Sequence, residues 1–297
     1  MLEILKAIVY GIVEGITEWL PISSTGHLIL VEQLIPFKGV SEGFFDMFDV
    51  VIQLGAILAV VLLFWKQIWP FKLPASKSES RSAGKSAGAA GAGKGGRIMD
   101  YVDMDIMTLW FKILVSCVPA AVIGLLFDEV FEALFYNPVS IAIALIVFGM
   151  AFIIIETWNK GRKPRITALS QITYRTALMI GVFQVIAAVF PGTSRSGATI
   201  VGALLIGVSR TIAAEYTFFL AIPVMFGASL LKVVKFGFDF TAMEGITLLV
   251  GTAVSFAVSL FVLKFLMGYI KKHDFKVFGW YRIALGIVVL IYFWVLA

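Results

Sequence analysis

The chain is poor in cysteine and in charged residues. A single cysteine, Cys117, cannot form an internal disulfide, and its place within an apolar run predicts a packing role. Only 14% of the residues are charged, and 60% are hydrophobic. Because soluble domains are about 25% charged, this balance excludes an ordinary soluble domain and predicts an integral membrane protein.

The order of the basic residues along the sequence predicts no single patch of positive charge. The net charge of +5 comes from basic residues scattered over loops, so we expect no nucleic-acid partner. The N-terminal basic region consists only of Lys6, and the apolar stretch after it is interrupted by Glu14. We therefore expect no removable signal peptide.

Basic residues cluster in three loops, near 66–97, 160–165 and 271–276. Because cytoplasmic loops of membrane proteins are enriched in Lys and Arg, these loops predict a multi-pass protein with both termini outside. A spanning helix needs about 20 mostly apolar residues. Six crossings fit the charge pattern, near 48–65, 107–127, 138–158, 211–234, 244–270 and 279–296.

Two further apolar segments lie near 1–45 and 172–207. Neither can be a crossing, because an additional crossing there would place basic loops on both sides of the membrane. Each is therefore predicted to be a re-entrant helix pair, which leaves the membrane on the side it entered. The two resemble each other, since "PISSTGH" lies over "PGTSRSG" when the sequence is shifted by 170 residues. The shift pairs Gly11 with Gly181, Glu14 with Gln184, Pro21 with Pro191 and Ser24 with Ser194.

Three crossings separate these two segments, so the copies enter from opposite faces and form an inverted repeat whose broken helices meet near the midplane. The predicted fold is an all-α integral membrane protein with six transmembrane crossings and two re-entrant helix pairs. It forms one domain over 1–297, with repeat one at about 1–158 and repeat two at about 172–297. The Gly-, Ala- and Lys-rich stretch predicts a flexible cytoplasmic loop at 72–100. A coincidental similarity between two Ser-rich breaks is the alternative.

Each break stops one helix and starts another, and the new helix begins with free N–H groups beside Ser and Thr hydroxyls. Such a helix start binds anions, and the helix dipole adds to the attraction. Arg195 lies in the second break and offers a planar cationic fork suited to phosphate oxygens. An arginine in a membrane costs roughly 2.5–3.5 kcal/mol on insertion scales and needs a partner. A structural arginine neutralised by Glu14 or Glu18 is therefore the alternative.

Glu14 and Glu18 are four residues apart, so they lie on one face of a helix. Two carboxylates this close and poorly solvated do not both ionise unaided. One interpretation is a divalent cation whose ligand shell a substrate phosphate completes. A shared proton, or a pairing with Arg195, is the other.

His27 follows Ser24 by three residues, so both can lie on the same side of the first helical turn. A contact between them would activate the hydroxyl as a nucleophile, or the imidazole would itself attack or protonate the leaving group. A structural histidine is the alternative. His273 in "KKHDFK" is expected to be structural.

The motifs "EGITEWLPISSTGH", "VVIQLGAILAVV", "PGTSRSGATI" with "GVSR", and the near-C-terminal "YR" resemble those of the bacterial undecaprenyl-diphosphate phosphatases of the bacitracin-resistance family. The resemblance covers nearly the whole chain. It implies hydrolysis of the C55 carrier lipid diphosphate to the monophosphate and inorganic phosphate, which recycles the carrier for peptidoglycan synthesis. It also implies a location in the bacterial plasma membrane among its lipids, an outward-facing pocket, and a divalent cation (Mg²⁺ or Ca²⁺).

The same resemblance implies residue roles. The glutamate pair maps onto Glu14 and Glu18 as metal ligands, and Ser24, His27 and Arg195 join Glu18 as catalytic residues. The flanking phosphate ligands would be Ser23, Thr25, Thr193, Ser194 and Ser196.

Ser24 is expected to attack the terminal phosphorus with help from Glu18 or His27. Direct attack by water, with Ser24 only binding phosphate, is the alternative. A polyprenyl-phosphate flippase or secondary transporter is the competing function, because broken helices and inverted repeats are also features of transporters. The sequence leaves open whether the protein is a homodimer.

Overall fold

The structure is a computed structural model, which describes residues 1–71, 101–237 and 239–295. α-Helices joined by short loops make up most of these ranges. They are α1 Leu2–Thr17, α2 Ser24–Leu34, α3 Phe44–Val51, α4 Gln53–Leu63, α5 Trp65–Ile68, α6 Met104–Phe135, α7 Pro138–Trp158, α8 Tyr174–Val189, α9 Arg195–Leu205, α10 Arg210–Phe236, α11 Ala242–Ile270 and α12 Lys276–Val295.

Within the described ranges, six segments are long and apolar enough to cross a membrane. They are Phe44–Leu63 (α3 with α4), Met104–Phe127, Pro138–Trp158, Arg210–Phe236, Ala242–Ile270 and Lys276–Trp294. Each lies within a few residues of a predicted crossing, so the all-helical, multi-pass fold is confirmed. The predicted flexible loop at 72–100 lies outside the described residues.

Two helix pairs remain, and they are built alike. α1 and α8 are each 16 residues long, and α2 and α9 are each 11 residues long. Each pair packs mainly on a helix from the other half of the chain, because α1 lies along α11 while α8 lies along α6. α7 and α12 pack against each other. This exchange joins the two halves into one bundle.

The breaks have a local cause in the sequence. α8 ends at Val189, just ahead of Pro191, since a residue that precedes proline is pushed out of the helical region. The next helix is then capped by a serine with a positive φ, 74° at Ser23 and 69° at Ser194. These are the non-glycine residues with positive φ in the described part of the chain. Such a conformation costs roughly 1–3 kcal/mol and is typical of functional sites.

The structural register of the breaks corrects the shift of 170 residues. Ser23 and Ser194 are both N-caps, and their side chains accept hydrogen bonds from the N–H of Gly26 and Gly197 respectively. Both relations correspond to a shift of 171. Ser24 is therefore equivalent to Arg195 rather than to Ser194. The inverted orientation and the repeat boundaries stay predictions.

Candidate active site

The side chains of the two breaks meet at Glu18, the residue that follows α1. Ser24, the first residue of α2, donates a hydrogen bond from Oγ to Glu18 Oε2 at 2.9 Å. Arg195, the first residue of α9, donates from Nη2 to Glu18 Oε1 at 2.7 Å. One carboxylate thus joins a hydroxyl from one break to a guanidinium from the other. The first residues of α2 and α9, which are equivalent in the two pairs, therefore both contact Glu18.

Further contacts fix this arrangement in place. Arg195 also donates to the carbonyl oxygen of Thr217 in α10 at 3.1 Å and contacts the Met225 sulfur at 3.2 Å. The Ser196 hydroxyl donates to the backbone oxygen of Glu18 at 3.2 Å and lies 3.0 Å from the Ser194 hydroxyl. The guanidinium fork is therefore held between the first break and α10, in a site that is mostly closed to solvent.

His27 forms no hydrogen bond with Ser24 in the described part of the chain. Its Nδ1 donates to the backbone oxygen of Ser23 at 2.7 Å, and in the neutral ring Nε2 then accepts from the Tyr281 hydroxyl at 2.7 Å. The predicted Ser24–His27 pair is therefore corrected. The reason is helical geometry, since the imidazole turns back over its own helix to the residue four positions earlier, while the Ser24 side chain points across the break.

The remaining predicted phosphate ligands are divided among several environments. The Ser23 and Ser194 hydroxyls already cap their helices, at 3.3 Å from the Gly26 nitrogen and 3.2 Å from the Gly197 nitrogen. Thr193 is fully buried, and its hydroxyl has no hydrogen-bond partner among the described residues. Thr25 faces a cavity beside the breaks. Among these predicted ligands, Thr193 and Thr25 are therefore the two whose hydroxyls form no hydrogen bond with a described residue.

The cavity at Thr25 has a volume of about 240 Å³. Asp46, Asp49 and Gln53 of the first span line it, together with Lys232 of α10. Sequence reasoning did not single out Asp46, Asp49 or Lys232. The three-and-four spacing of 46, 49 and 53 is a signal that could have found the acidic pair, because it places them on one face of an otherwise apolar helix.

Arg282 of α12 connects the two breaks through their backbones. Its fully buried guanidinium donates to the Pro21 oxygen of the first break at 3.3 Å. It also donates to the Gly192 oxygen at 3.0 Å and the Thr193 oxygen at 2.7 Å in the second. Irregular backbone inside a membrane needs such partners, because lipid offers none. Arg282 is a positioning residue, and from the sequence it was noted only as part of the "YR" motif.

Glu14 is the other carboxylate of the predicted cation site. It is fully buried, and neither carboxylate oxygen has a hydrogen-bond partner in the part of the chain that the structure describes. The described residues include no cluster of three or more His, Cys, Asp or Glu suited to a metal. Mg²⁺ is commonly bound by only one or two carboxylates together with substrate phosphates. Glu14 and the outer lone pairs of Glu18 fit a cation of that kind.

The fold and the site define a polytopic membrane protein whose two helix breaks bring a hydroxyl, a carboxylate and a guanidinium into contact. The chain belongs to the family described as "Bacitracin resistance protein BacA", whose profile matches residues 7–288. It is 61% identical to an undecaprenyl-diphosphatase of Desulfitobacterium hafniense, over 99% of this chain and 97% of the relative. It is 59% identical to undecaprenyl-diphosphatase 1 of Clostridium acetobutylicum, with 98% of each chain covered.

Replacing Arg282 with methionine should lower the melting temperature of the purified protein. The change removes the guanidinium but keeps similar bulk, and it leaves three buried carbonyl groups unpaired at a cost of about 1–3 kcal/mol each. Lys66→Met is the control, because it also removes a cation but Lys66 is exposed in α5 and lines neither cavity. Equal melting temperatures for the two variants would contradict the role given to Arg282.

Proposed function

We propose that this protein hydrolyses undecaprenyl diphosphate to undecaprenyl phosphate and inorganic phosphate. The reaction would recycle the lipid carrier for peptidoglycan synthesis and would confer resistance to bacitracin. The observation that carries the proposal is the contact of Ser24 and Arg195 with one carboxylate, Glu18. The relatives named undecaprenyl-diphosphatase support the choice of substrate.

The physical setting favours a lipid diphosphate. Burying each CH₂ group is worth about 0.8 kcal/mol, so a C55 tail stays in the bilayer and the enzyme must receive the charged headgroup there. A site built from two helix starts inside the membrane does this, because their N–H groups and dipoles attract phosphate. We propose that the tail lies in an apolar groove that opens sideways between helices.

The first chemical step uses the Ser24–Glu18 hydrogen bond. Arg195 moves its fork from Glu18 to the terminal phosphate, which leaves Ser24 as the remaining side-chain partner of that carboxylate. Glu18 accepts the Ser24 proton while Oγ attacks the terminal phosphorus. The new Oγ–P bond forms as the bond to the bridging oxygen breaks, and undecaprenyl phosphate leaves with the proton that Glu18 returns.

The second step regenerates the enzyme. Glu18, again ionised, accepts a proton from a water molecule that attacks the phosphoserine, and phosphate departs as Ser24 recovers its hydrogen. Arg195 stabilises the charge on the equatorial oxygens in both steps. His27 orients the helix start through Ser23 and is placed to bind a phosphate oxygen only if Tyr281 releases it. Direct attack by water would need Glu18 alone and no covalent intermediate.

We further propose that a divalent cation, Mg²⁺ or Ca²⁺, binds at Glu14 and Glu18 together with a substrate phosphate. Its contribution would be to neutralise charge on the diphosphate. The two free oxygens of the buried Glu14 support this assignment, because an unpaired buried carboxylate is costly.

We propose that the site opens to the outer side of the membrane. The cavity at Thr25 is lined by Asp46, at the start of the first span, and by Tyr136, in the turn between α6 and α7. Both lie at the ends of spans opposite to the basic loops that begin at Lys66 and Lys160. Basic loops favour the cytoplasm, so this cavity faces away from it.

Ser24→Ala, Glu18→Gln and Arg195→Lys should each reduce phosphate release from undecaprenyl diphosphate by roughly 10²- to 10⁴-fold in detergent. Rapid quenching with substrate labelled in its terminal phosphate should trap a phosphoserine at Ser24. Ser170→Ala, an exposed serine outside the site, serves as the control.

Loss of phosphate release without any trapped phosphoserine would favour direct attack by water. Full activity in the Ser24→Ala protein would contradict the catalytic role proposed for Ser24. Lipid exchange between leaflets with no phosphate release would favour a flippase.

Chelation of divalent cations should abolish phosphate release, and added Mg²⁺ or Ca²⁺ should restore it. Glu14→Gln should raise the cation concentration needed for half-maximal activity by roughly 10-fold or more, since one charged ligand is lost. Glu132→Gln is the matched control, because Glu132 lines the cavity at Thr25 but lies outside the proposed cation site. An unchanged cation requirement in Glu14→Gln would refute this assignment.

Cysteine labelling should show on which side of the membrane each loop lies. A cysteine at Glu42 should react with a membrane-impermeant maleimide in intact cells, whereas one at Lys163 should react only after the cells are opened. Both positions are exposed, and protein carrying only the native Cys117 gives the background. The reverse pattern would mean that the site faces the cytoplasm.

A further inference from the structure

A second, larger cavity lies at the basic end of the bundle, away from the site described above. Its volume is about 1090 Å³. The loop after α7, the start of α8, the end of α9, the start of α10 and the end of α11 line it. Seven cationic side chains face it, from Lys160, Arg162, Lys163, Arg165, Arg175, Arg210 and Lys271.

These cations are poorly compensated by the protein. Glu156 is the acidic residue among the lining residues, and it pairs with Arg210, whose Nε lies 2.8 Å from Oε1 and 3.1 Å from Oε2. The other six cations form no ion pair with any described residue. Cations that converge from several segments repel one another, so the cavity attracts an anion from outside the chain.

Hydrogen bonds to backbone oxygens hold the cavity in shape. The Asn159 side-chain amide donates from Nδ2 to the Leu204 oxygen at 3.2 Å, which fixes the end of α7 against α9. The Arg165 N–H donates to the Gly207 oxygen at 2.8 Å, and the Ser209 N–H donates to the Ile166 oxygen at 2.8 Å. One edge of the basic loop is therefore tied to α9 and the other to the turn between α9 and α10, so the backbone that carries these cations is fixed in place.

The rim of the cavity carries apolar side chains that are exposed on the surface of the helix bundle. Trp158, Met179 and Leu205 line it with exposed side chains, and the guanidinium of Arg162 lies 4.0 Å from the Trp158 ring. Exposed Leu178 and Val182 continue this surface along α8. Tryptophan is enriched at the membrane interface, so the rim marks the level where headgroups meet acyl chains. A ligand here would have an anionic head and an apolar tail.

We propose that this cavity binds the phosphate headgroup of an anionic phospholipid from the leaflet on the basic, cytoplasmic side. Basic pockets between membrane helices on that side suit such headgroups. Membrane orientation alone requires cations in the loops, but it does not require them to surround one preformed cavity. Six unpaired cations suit a lipid with two phosphates, such as cardiolipin, better than a lipid with one. This binding is separate from catalysis.

Native mass spectrometry of the full-length protein released from mixed-lipid nanodiscs tests the proposal. The probes are cardiolipin, phosphatidylglycerol and the zwitterionic phosphatidylcholine. The wild type should retain cardiolipin most strongly and phosphatidylcholine least. An Arg165→Gln, Arg175→Gln double variant should retain cardiolipin roughly tenfold less, since each cation near the surface contributes to binding anionic lipid.

The matched control is Lys66→Gln with Lys272→Gln, which removes two exposed cations from the same side of the membrane but outside the cavity. It should retain cardiolipin like the wild type. Arg165→Lys with Arg175→Lys should keep most of the binding, because the charge is preserved. Melting temperatures in phosphatidylcholine alone should be equal for all variants, which shows that each is folded.

Equal loss of cardiolipin in the cavity variant and the control would overturn the proposal, as would equal retention of phosphatidylcholine by the wild type. Inorganic phosphate and a nucleoside triphosphate test for a soluble ligand. A rise in melting temperature with either of them, but none with cardiolipin, would also overturn it by showing that the cavity takes a soluble phosphate.

Discussion

The structure depends on the hydrogen bonds that Arg282 makes to the backbone of both helix breaks. A break inside a membrane exposes carbonyl groups that lipid cannot satisfy, and each unpaired group costs about 1–3 kcal/mol. One buried guanidinium meets three of them, on Pro21, Gly192 and Thr193. Because it bonds to both breaks at once, it also sets their separation. The contact among Ser24, Glu18 and Arg195 depends on that separation.

The two halves supply the same geometry but different chemistry. In each, a serine with positive φ caps a helix of 11 residues, so a local strain is repeated at the same point. The residue that follows the cap is Ser24 in one half and Arg195 in the other. One structural position therefore carries the proposed nucleophile in one copy and the charge-stabilising cation in the other. Two identical residues would have left the site without one of these functions.

The sequence predicted the spans and the convergence of the breaks better than the contacts within the site. Two independent signals locate the six helices. A crossing needs about 20 apolar residues, and the basic residues lie in the loops between crossings. Glu18, Ser24 and Arg195 were predicted because polar residues are costly in a membrane and so stand out. The partner of His27 was missed because Tyr281 lies 254 positions away. Spacing along one helix says nothing about such a distant residue.

Other features depend on three-dimensional packing in the same way. The structural alignment of the two breaks differs by one residue from their sequence alignment. The reason is that the N-cap conformation, and not the side-chain type, determines which residues correspond. The role of Arg282 could not be derived from its neighbours, since its partners are backbone atoms from three other parts of the chain. Every residue has the same backbone carbonyl group, so the sequence does not indicate which carbonyl groups bind Arg282.

The ion pair between Glu18 and Arg195 also bears on selectivity. The free site already holds an internal anion, so any incoming anion must compete with a carboxylate 2.7 Å from the guanidinium. A singly charged anion such as chloride gains little by this exchange. A diphosphate carries more charge and several acceptor oxygens, so it can displace the carboxylate. In the proposed reaction, this exchange would select among anions before any chemistry begins, and it would free the carboxylate that then accepts the Ser24 proton.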